Sequence, residues 1–433
     1  MADEKNWIRE AMFYHIYPLG FTGAPLRNEG EATAGGRILE VLDWIEHFKE
    51  LGINAIYFGP IFESVSHGYD TTDYYQTDSR LGSKEDFKKV FTALHENGIR
   101  VIVDGVFNHV GRKFFAFLDV QKNLEQSAYK DWFCNLNFSW QSPLGDSFSY
   151  ENWHGAAELV KLNLRNPAVC EHLLGAVGMW MDELGIDGLR LDAADCVDRE
   201  FFKRLHSFTK GKREDFWLMG EIIHGDYRVW ANDEMLDSVT NYECWKGIYS
   251  SHNDKNYFEI AYSLKRQFGQ GGLYENLCLY NFLDNHDVNR IGSLLKQREN
   301  LKNAYTLLYM MPGIPSIYYG SEWGIEGVKG QGMDADLPLR PKLDLEEMCA
   351  QETDLPAHIR ELAKIRKESD AVKYGAYDEV LVRNKQFVFA RRSGEQYKVI
   401  ALNLTDHAET LHFSYQGKEY EVLLEAYTSK IME

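Results

Sequence analysis

No stretch of the 433 residues is long and apolar enough to cross a bilayer, and the first twelve residues, with Asp3, Glu4, Lys5, Arg9 and Glu10, lack the apolar run of a signal peptide. The expectation is a cytoplasmic protein without a membrane partner. Cysteine is scarce and unpaired in sequence: Cys134, Cys170, Cys196, Cys244, Cys278 and Cys349 form no Cys-x-x-Cys motif. Neither a zinc site nor a disulfide framework is signalled, and reduced thiols are the simpler reading. Positive charge is also short, 47 Lys and Arg against 66 Asp and Glu, a net charge of -19. That balance repels nucleic acid and anionic lipid and suits a neutral substrate, although it equally serves solubility. Internal repeats, low-complexity tracts and charged tails are missing too.

Aromatic residues, by contrast, make up 14% of the chain, with 25 Tyr and 10 Trp. They suit a protein that stacks on something sugar-like, and they also fill ordinary cores. Strand-like and helix-like segments alternate along most of the length, the pattern of parallel β-strands with crossover helices. Strands are expected at 13–17, 53–58, 100–104, 187–191, 216–220, 236–240, 278–283 and 314–318, the sixth weakly marked. Helices are expected at 38–51, 84–97, 167–184, 198–209, 257–268, 301–311 and 356–366. Eight such strands predict an α/β fold, a (β/α)₈ barrel. Residues 112–160 break the rhythm as a long irregular insertion after strand 3, and from about Tyr377 short alternating strands predict a C-terminal antiparallel β-sandwich. The expected domains are a catalytic barrel over 1–111 and 161–370, an inserted domain over 112–160 and a β-domain over 371–433.

Acids gather at the ends of these predicted strands. The third ends in Asp104-Gly-Val-Phe-Asn108-His109, the fourth in Arg190 and Asp192, the fifth in Glu221, and the seventh in Asp284-Asn285-His286-Asp287. In a parallel barrel the carboxyl ends of the strands ring one mouth, so these side chains converge from distant segments. Converging carboxylates raise one another's pKa, which is useful where one must be ionised and another protonated. Retaining glycoside hydrolysis needs that split, with a nucleophile and an acid roughly 5 Å apart. A charged pair such as Arg190 and Asp192 taken alone would also fit a barrel-end salt bridge.

With those residues in view, the sequence resembles the α-amylase family, glycoside hydrolase family 13. Asp104-Gly-Val-Phe-Asn-His-Val, Gly188-Leu-Arg-Leu-Asp, Met219-Gly-Glu-Ile and Phe282-Leu-Asp-Asn-His-Asp are similar to its four signature regions, in order. Leu162-Asn-Leu-Arg-Asn-Pro, His67-Gly-Tyr-Asp-Thr-Thr-Asp-Tyr and Pro312-Gly-Ile-Pro-Ser-Ile-Tyr-Tyr-Gly are further matches. The resemblance implies Asp192 as nucleophile, Glu221 as acid/base and Asp287 as the carboxylate gripping sugar hydroxyls. It also implies a substrate subsite of His67, Tyr69, Asp104, His109, Arg190 and His286. Asp336 and Arg340, four residues apart, match an Asp and Arg that hold the next sugar, or form a plain i to i+4 ion pair. Trp140 and Trp153 stack on a glucan or form the core of the insertion. The implied activity is retaining hydrolysis of α-1,4 links in maltodextrins, cyclodextrins or starch fragments. A 4-α-glucanotransferase and a non-catalytic relative are the alternatives.

Glu221-Ile-Ile-His224 resembles the neopullulanase, cyclomaltodextrinase and maltogenic amylase subgroup, which implies a substrate role for His224. The subgroup usually carries an extra N-terminal domain; with the first strand expected near residue 12 that domain is not expected here, and oligomeric state is open. Asp195 and Cys196 replace the Lys-His that often follows the nucleophile and helps to hold calcium. No cofactor is expected to be required, with Asn108 a candidate calcium ligand. Ser66 stands where chain-end glucosidases of the family carry Asp, which argues against strict exo action.

Overall fold

Val101, Ile102 and Val103 are wholly buried in the strand Arg100–Gly105, and similar unbroken burial recurs in seven further strands. Strands buried on both faces belong to a parallel sheet covered by helices. The computed structural model describes residues 7–29, 36–332 and 334–433. Within them the eight strands are β1 (Phe13–Ile16), β2 (Ala55–Phe58), β3 (Arg100–Gly105), β4 (Gly188–Leu191), β5 (Trp217–Gly220), β6 (Ser238–Val239), β7 (Tyr280–Phe282) and β8 (Ile314–Tyr318). All pair in parallel, β1 lying between β2 and β8. The circuit closes between β6 and β7 through a bridge from Thr240 to Tyr280, with the Asn241 N–H donating to the Tyr280 carbonyl at 2.9 Å. Only two residues of β6 pair with β5, which accounts for its faint sequence signal.

Alternate residues face the barrel axis. Phe13, Ala55, Tyr57, Ile102, Trp217, Met219, Tyr280, Phe282 and Ile314 form the inner core, with Phe13 and Trp217 stacked at 5.5 Å. Their neighbours Tyr14, Ile56, Val103, Leu189 and Leu218 face outward into the helical layer. Asp104 and Arg190 follow the inward pattern and sit in register on β3 and β4, one layer above the apolar plug.

Helix boundaries follow local chemistry. Lys84–Glu96 starts at a capping box in which Ser83 and Asp86 satisfy each other's backbone N–H groups. Pro167–Met179 starts with the Asn166 cap and Pro167, then passes into a π-helical turn, Trp180–Leu184, that ends at Gly185 with φ +73°.

The insertion is more regular than its sequence suggests. It holds a helix, Phe115–Asn123, with Phe117 and Val120 buried and Phe117 packed edge-on against Phe133 and Phe148. It also holds an antiparallel sheet of His109–Gly111, Asn152–Trp153 and Ala156–Lys161. Arg112 grips Asp146 through two N–H groups at 2.6 and 2.9 Å. Trp140 lies outside this core and is exposed.

At the C-terminus a four-stranded antiparallel sheet, in spatial order Ala376–Val382, Gln386–Ser393, Gln396–Asn403, Ser429–Met432, faces the hairpin Glu409–Tyr415/Lys418–Leu424. Val388, Ala390, Val399 and Ala401 from the sheet meet Leu411, Val422 and Leu424 from the hairpin, the two-layer core expected of a sandwich. One buried guanidinium, Arg391, joins this unit to the barrel, and a second, Arg366, ties the last barrel helix Leu355–Glu368 to the same place. Arg391 donates to the carbonyls of Met310 and Gly375, and Arg366 to those of Tyr309 and Gly313. The negative end of the helix Leu301–Met310 thereby receives both charges.

Candidate active site

Arg190 is the hub. Its Nη1 donates to Asp104 Oδ1 and to Asp192 Oδ1, both at 2.9 Å, while Nη2 lies 2.8 Å from Glu221 Oε2. One guanidinium touching three carboxylates holds the strand ends β3, β4 and β5 within a few ångströms of one another. The chain after β4 adds a further tie: Ala193 adopts φ +42°, and its N–H donates to Glu221 Oε2 at 3.1 Å. Glu221 Oε1 is left with one donor, the Tyr242 hydroxyl at 3.3 Å, which Asn285 holds in turn at 3.0 Å. Asp192 Oδ2 faces His109 Nε2 at 3.9 Å.

The loops after β7 and β8 build the opposite wall. Asp287 Oδ2 lies 3.0 Å from His286 Nε2, and its Oδ1 accepts from Arg340 Nη2 at 2.9 Å. Arg340 also reaches Asp336 at 3.2 Å, the His286 carbonyl at 3.0 Å and the face of Tyr17 at 4.4 Å. Asp336 and Arg340 thus form their i to i+4 pair, and that pair leads directly to Asp287. Tyr69 stacks on His286 at 5.4 Å with 9° between planes, and its hydroxyl donates to Asp104 at 3.0 Å. Since the Tyr69 hydrogen goes to Asp104, its oxygen accepts from His286, with which it is also in contact. Tyr57 donates to Asp104 at 2.9 Å from below.

Burial sets the protonation pattern. It pushes the Asp192 carboxyl up to about 7, against Arg190 and helped by Asp104 and Asp287. Burial likewise raises Asp104 to about 6 and raises Glu221, with Asp192 adding to the latter. Asp287 differs: burial opposes its ionisation, yet His286 and then Arg340 outweigh it and hold the carboxyl below the usual range. His109 is driven down to about 3 by burial and is neutral. One arginine cannot neutralise three acids, so the Asp192 and Glu221 pair retains a proton near neutrality.

His67 lies at the rim, its Nδ1 accepting the Tyr69 N–H at 3.2 Å and its carbonyl accepting the Tyr17 hydroxyl at 2.7 Å. His224 is exposed, and its side chain bonds to none of the described residues. Asn108 is buried beside His109 with Oδ1 lacking a partner. That orphaned oxygen would suit a cation, but among the described residues no group of three or more His, Cys, Asp or Glu side chains is placed to hold one. Sequence reasoning missed Tyr17, Tyr57, Tyr242 and the Ala193 amide. Tyr57 carried a usable signal, an inward position one residue from the end of β2, as Arg190 is on β4.

Acids clustered round an arginine at the carboxyl mouth of a parallel barrel define a class, the barrel glycoside hydrolases. A family model described as alpha amylase, catalytic domain, matches residues 15–361. A cyclomaltodextrinase of Thermoanaerobacter pseudethanolicus is 32% identical over 432 residues, covering 96% of this chain and 74% of that protein. One from a Bacillus species is 31% identical, covering 94% and 74%. Among solved structures, the ligand-free cyclic α-maltosyl-(1→6)-maltose hydrolase of Arthrobacter globiformis superposes with a TM-score of 0.86 at 26% identity, over 99% of this chain and 98% of that one. A debranching enzyme of Nostoc punctiforme superposes with a TM-score of 0.81 at 29% identity, over 98% of both. The chain belongs to the α-amylase family and is a glycoside hydrolase of that type.

Proposed function

We propose that this protein hydrolyses α-1,4-glucosidic bonds of maltodextrins, cyclodextrins or starch fragments with retention of configuration. The observation that carries the reading is the Arg190 guanidinium held between Asp192 and Glu221, which keeps both carboxyls within reach of one glycosidic bond. Asp192 Oδ1 is tied to Arg190, so Oδ2 is the free oxygen that attacks the anomeric carbon. Glu221 Oε2 accepts from Arg190 and Ala193, so its proton sits on Oε1 and passes to the departing sugar oxygen as the C–O bond breaks. Glu221 then takes a proton from water, which attacks the glycosyl ester and frees Asp192. Asp287, kept anionic by His286 and Arg340, accepts from sugar hydroxyls on the far side. Tyr69 gives that sugar a flat ring to stack on. Two carboxyls and water suffice, so the reaction needs no cofactor.

A second reading, cleavage of α-1,6 links, is favoured by structural neighbours that match this chain nearly end to end, a cyclic α-maltosyl-(1→6)-maltose hydrolase and a debranching enzyme. A product profile on amylose, pullulan, β-cyclodextrin and maltotriose, with and without chelator, separates these. Maltose and glucose from β-cyclodextrin with α-configured products support the first reading, and maltotriose released from pullulan supports the second. Products longer than maltotriose early in its digestion reveal transfer to sugar instead of water. No turnover of any of the four overturns the proposal.

A further inference from the structure

Asp284 stands at the end of β7 beside the catalytic acids, yet the proposed reaction does not use it. Its Oδ2 accepts from the Ile291 N–H and from the Ser321 hydroxyl, both at 2.7 Å. Ser321 Oγ in turn accepts from Arg290 Nη1 at 3.1 Å. Burial pushes the Asp284 carboxyl up, and Arg290 is the first charge to oppose that rise. Arg290 lies three residues beyond Asp287 in the same loop and is fully buried.

The groups that Arg290 holds are backbone carbonyls. Nη1 donates to Tyr319, just past β8, at 2.8 Å, and Nη2 donates to Leu339 at 2.9 Å. The Leu339 carbonyl also accepts the Tyr318 hydroxyl at 2.9 Å, and the Arg290 guanidinium lies 4.4 Å from the centre of the Tyr318 ring. The Arg290 backbone N–H donates to Gly327 at 3.0 Å. Gly327 runs so close to the segment before Arg340 that a Cβ on it would stand 2.6 Å from the Pro338 carbonyl oxygen. One buried side chain therefore ties the segment carrying Asp336 and Arg340 to the loop carrying Asp287.

The Leu339 carbonyl and the Arg340 N–H share one peptide plane. Two donors on that carbonyl set the direction in which Arg340 leaves the backbone, and from there its guanidinium reaches Asp287 at 2.9 Å. We propose that Arg290, anchored to Asp284 through Ser321, is a positioning residue that aims Arg340 at Asp287. The inference rests on the reading of Asp287 as the carboxylate that accepts from sugar hydroxyls. Arg290 is too buried to meet sugar itself, so its effect on the substrate passes through Arg340. A planar fork spans the Tyr319 and Leu339 carbonyls together, whereas a lysine brings a single nitrogen.

The test is a double-mutant cycle on the full-length protein. Arg290→Lys and Tyr318→Phe, the second a milder change that removes only the other donor to Leu339, are each made in the parent and in Arg340→Ala. Steady-state kinetics on β-cyclodextrin are measured well below the unfolding temperature. In the parent, kcat/KM falls at least about tenfold with Arg290→Lys and about twofold to fivefold with Tyr318→Phe. With Arg340→Ala already present, each costs less than about twofold more, since residues acting as one unit are not additive. Full additivity overturns the proposal. Crystal structures of parent and variants give a readout that needs no turnover. Arg340 Nη2 withdraws from Asp287 Oδ1, while Arg190 keeps its contacts to Asp192 and Glu221. An Arg340 that stays in place overturns the proposal whether or not the protein acts on α-glucans, and absence of turnover in the parent counts only against the α-glucan reading. If Arg290→Lys does not fold, the kinetics and structure of Tyr318→Phe decide alone.

Discussion

The Ala193 amide points at Glu221: it donates to Oε2 at 3.1 Å because Ala193 has the left-handed φ of +42°. A residue next to the proposed nucleophile thus orients the proposed acid/base. Glycine adopts that φ freely, whereas a β-branched side chain resists it. Ala193→Gly should keep activity within about threefold of the parent. Ala193→Val should lose at least about tenfold in kcat with KM little changed, because the amide no longer aims at the carboxyl. Steady-state kinetics on β-cyclodextrin decide it, and equal activity in the two variants would show that the amide is unimportant.

Tyr242 is the donor to the other Glu221 oxygen, at 3.3 Å. A hydrogen bond donated to a carboxylate favours its ionised form, so removing it raises the acid's pKa. In Tyr242→Phe the alkaline limb of kcat/KM, where Glu221 loses its proton, should move to higher pH while the maximum falls. A limb that stays in place or moves to lower pH would refute the coupling.

The strands were legible where burial is continuous, because Val-Ile-Val in β3 or Ile-Pro-Ser-Ile-Tyr in β8 has no solvent face to alternate with. Besides several helices of four or five residues, two longer ones escaped notice. Tyr242–Asn253 carries Gly247 and two serines that weaken local propensity, and it is fixed by the Asn241 cap and by packing on Phe258–Phe268. Phe115–Asn123 buries only Ala116, Phe117 and Val120 while Phe115 and Leu118 are exposed, so its short apolar face does not stand out among the surrounding aromatics. In the site, the acids were readable because charge at a strand end is conspicuous. Tyr57 and Tyr242 were not, since an inward tyrosine looks like core until its hydroxyl finds Asp104 or Glu221.

Arg391 offers a prediction away from the chemistry. Its guanidinium donates to the Met310 and Gly375 carbonyls, and it is fully buried. Arg391→Met fills similar volume but leaves both carbonyls without that donor, at a cost of about 1–3 kcal/mol. Denaturant unfolding should show the loss, while activity per folded molecule stays unchanged. Undiminished stability would mean that relief of a buried charge offsets the missing hydrogen bonds.

Asp192 links activity to stability in opposite directions. Its folded pKa of about 7 lies above the ordinary carboxylate value, because burial and the neighbouring acids Asp104 and Asp287 outweigh Arg190. A raised acid binds its proton more tightly in the folded state, so folding stability falls as pH rises from about 4 through 7 and stays low above. Asp192→Asn keeps an oxygen for Arg190 and cannot ionise. It should therefore abolish turnover by at least about 10³-fold and stabilise the protein by roughly 1–3 kcal/mol at pH 8, with little effect near pH 4. Thermal unfolding of parent and variant at the two pH values measures the difference. A variant destabilised equally at both would mean that Arg190 relieves the crowding of carboxylates completely, and the proposed protonation split between Asp192 and Glu221 would lose its basis.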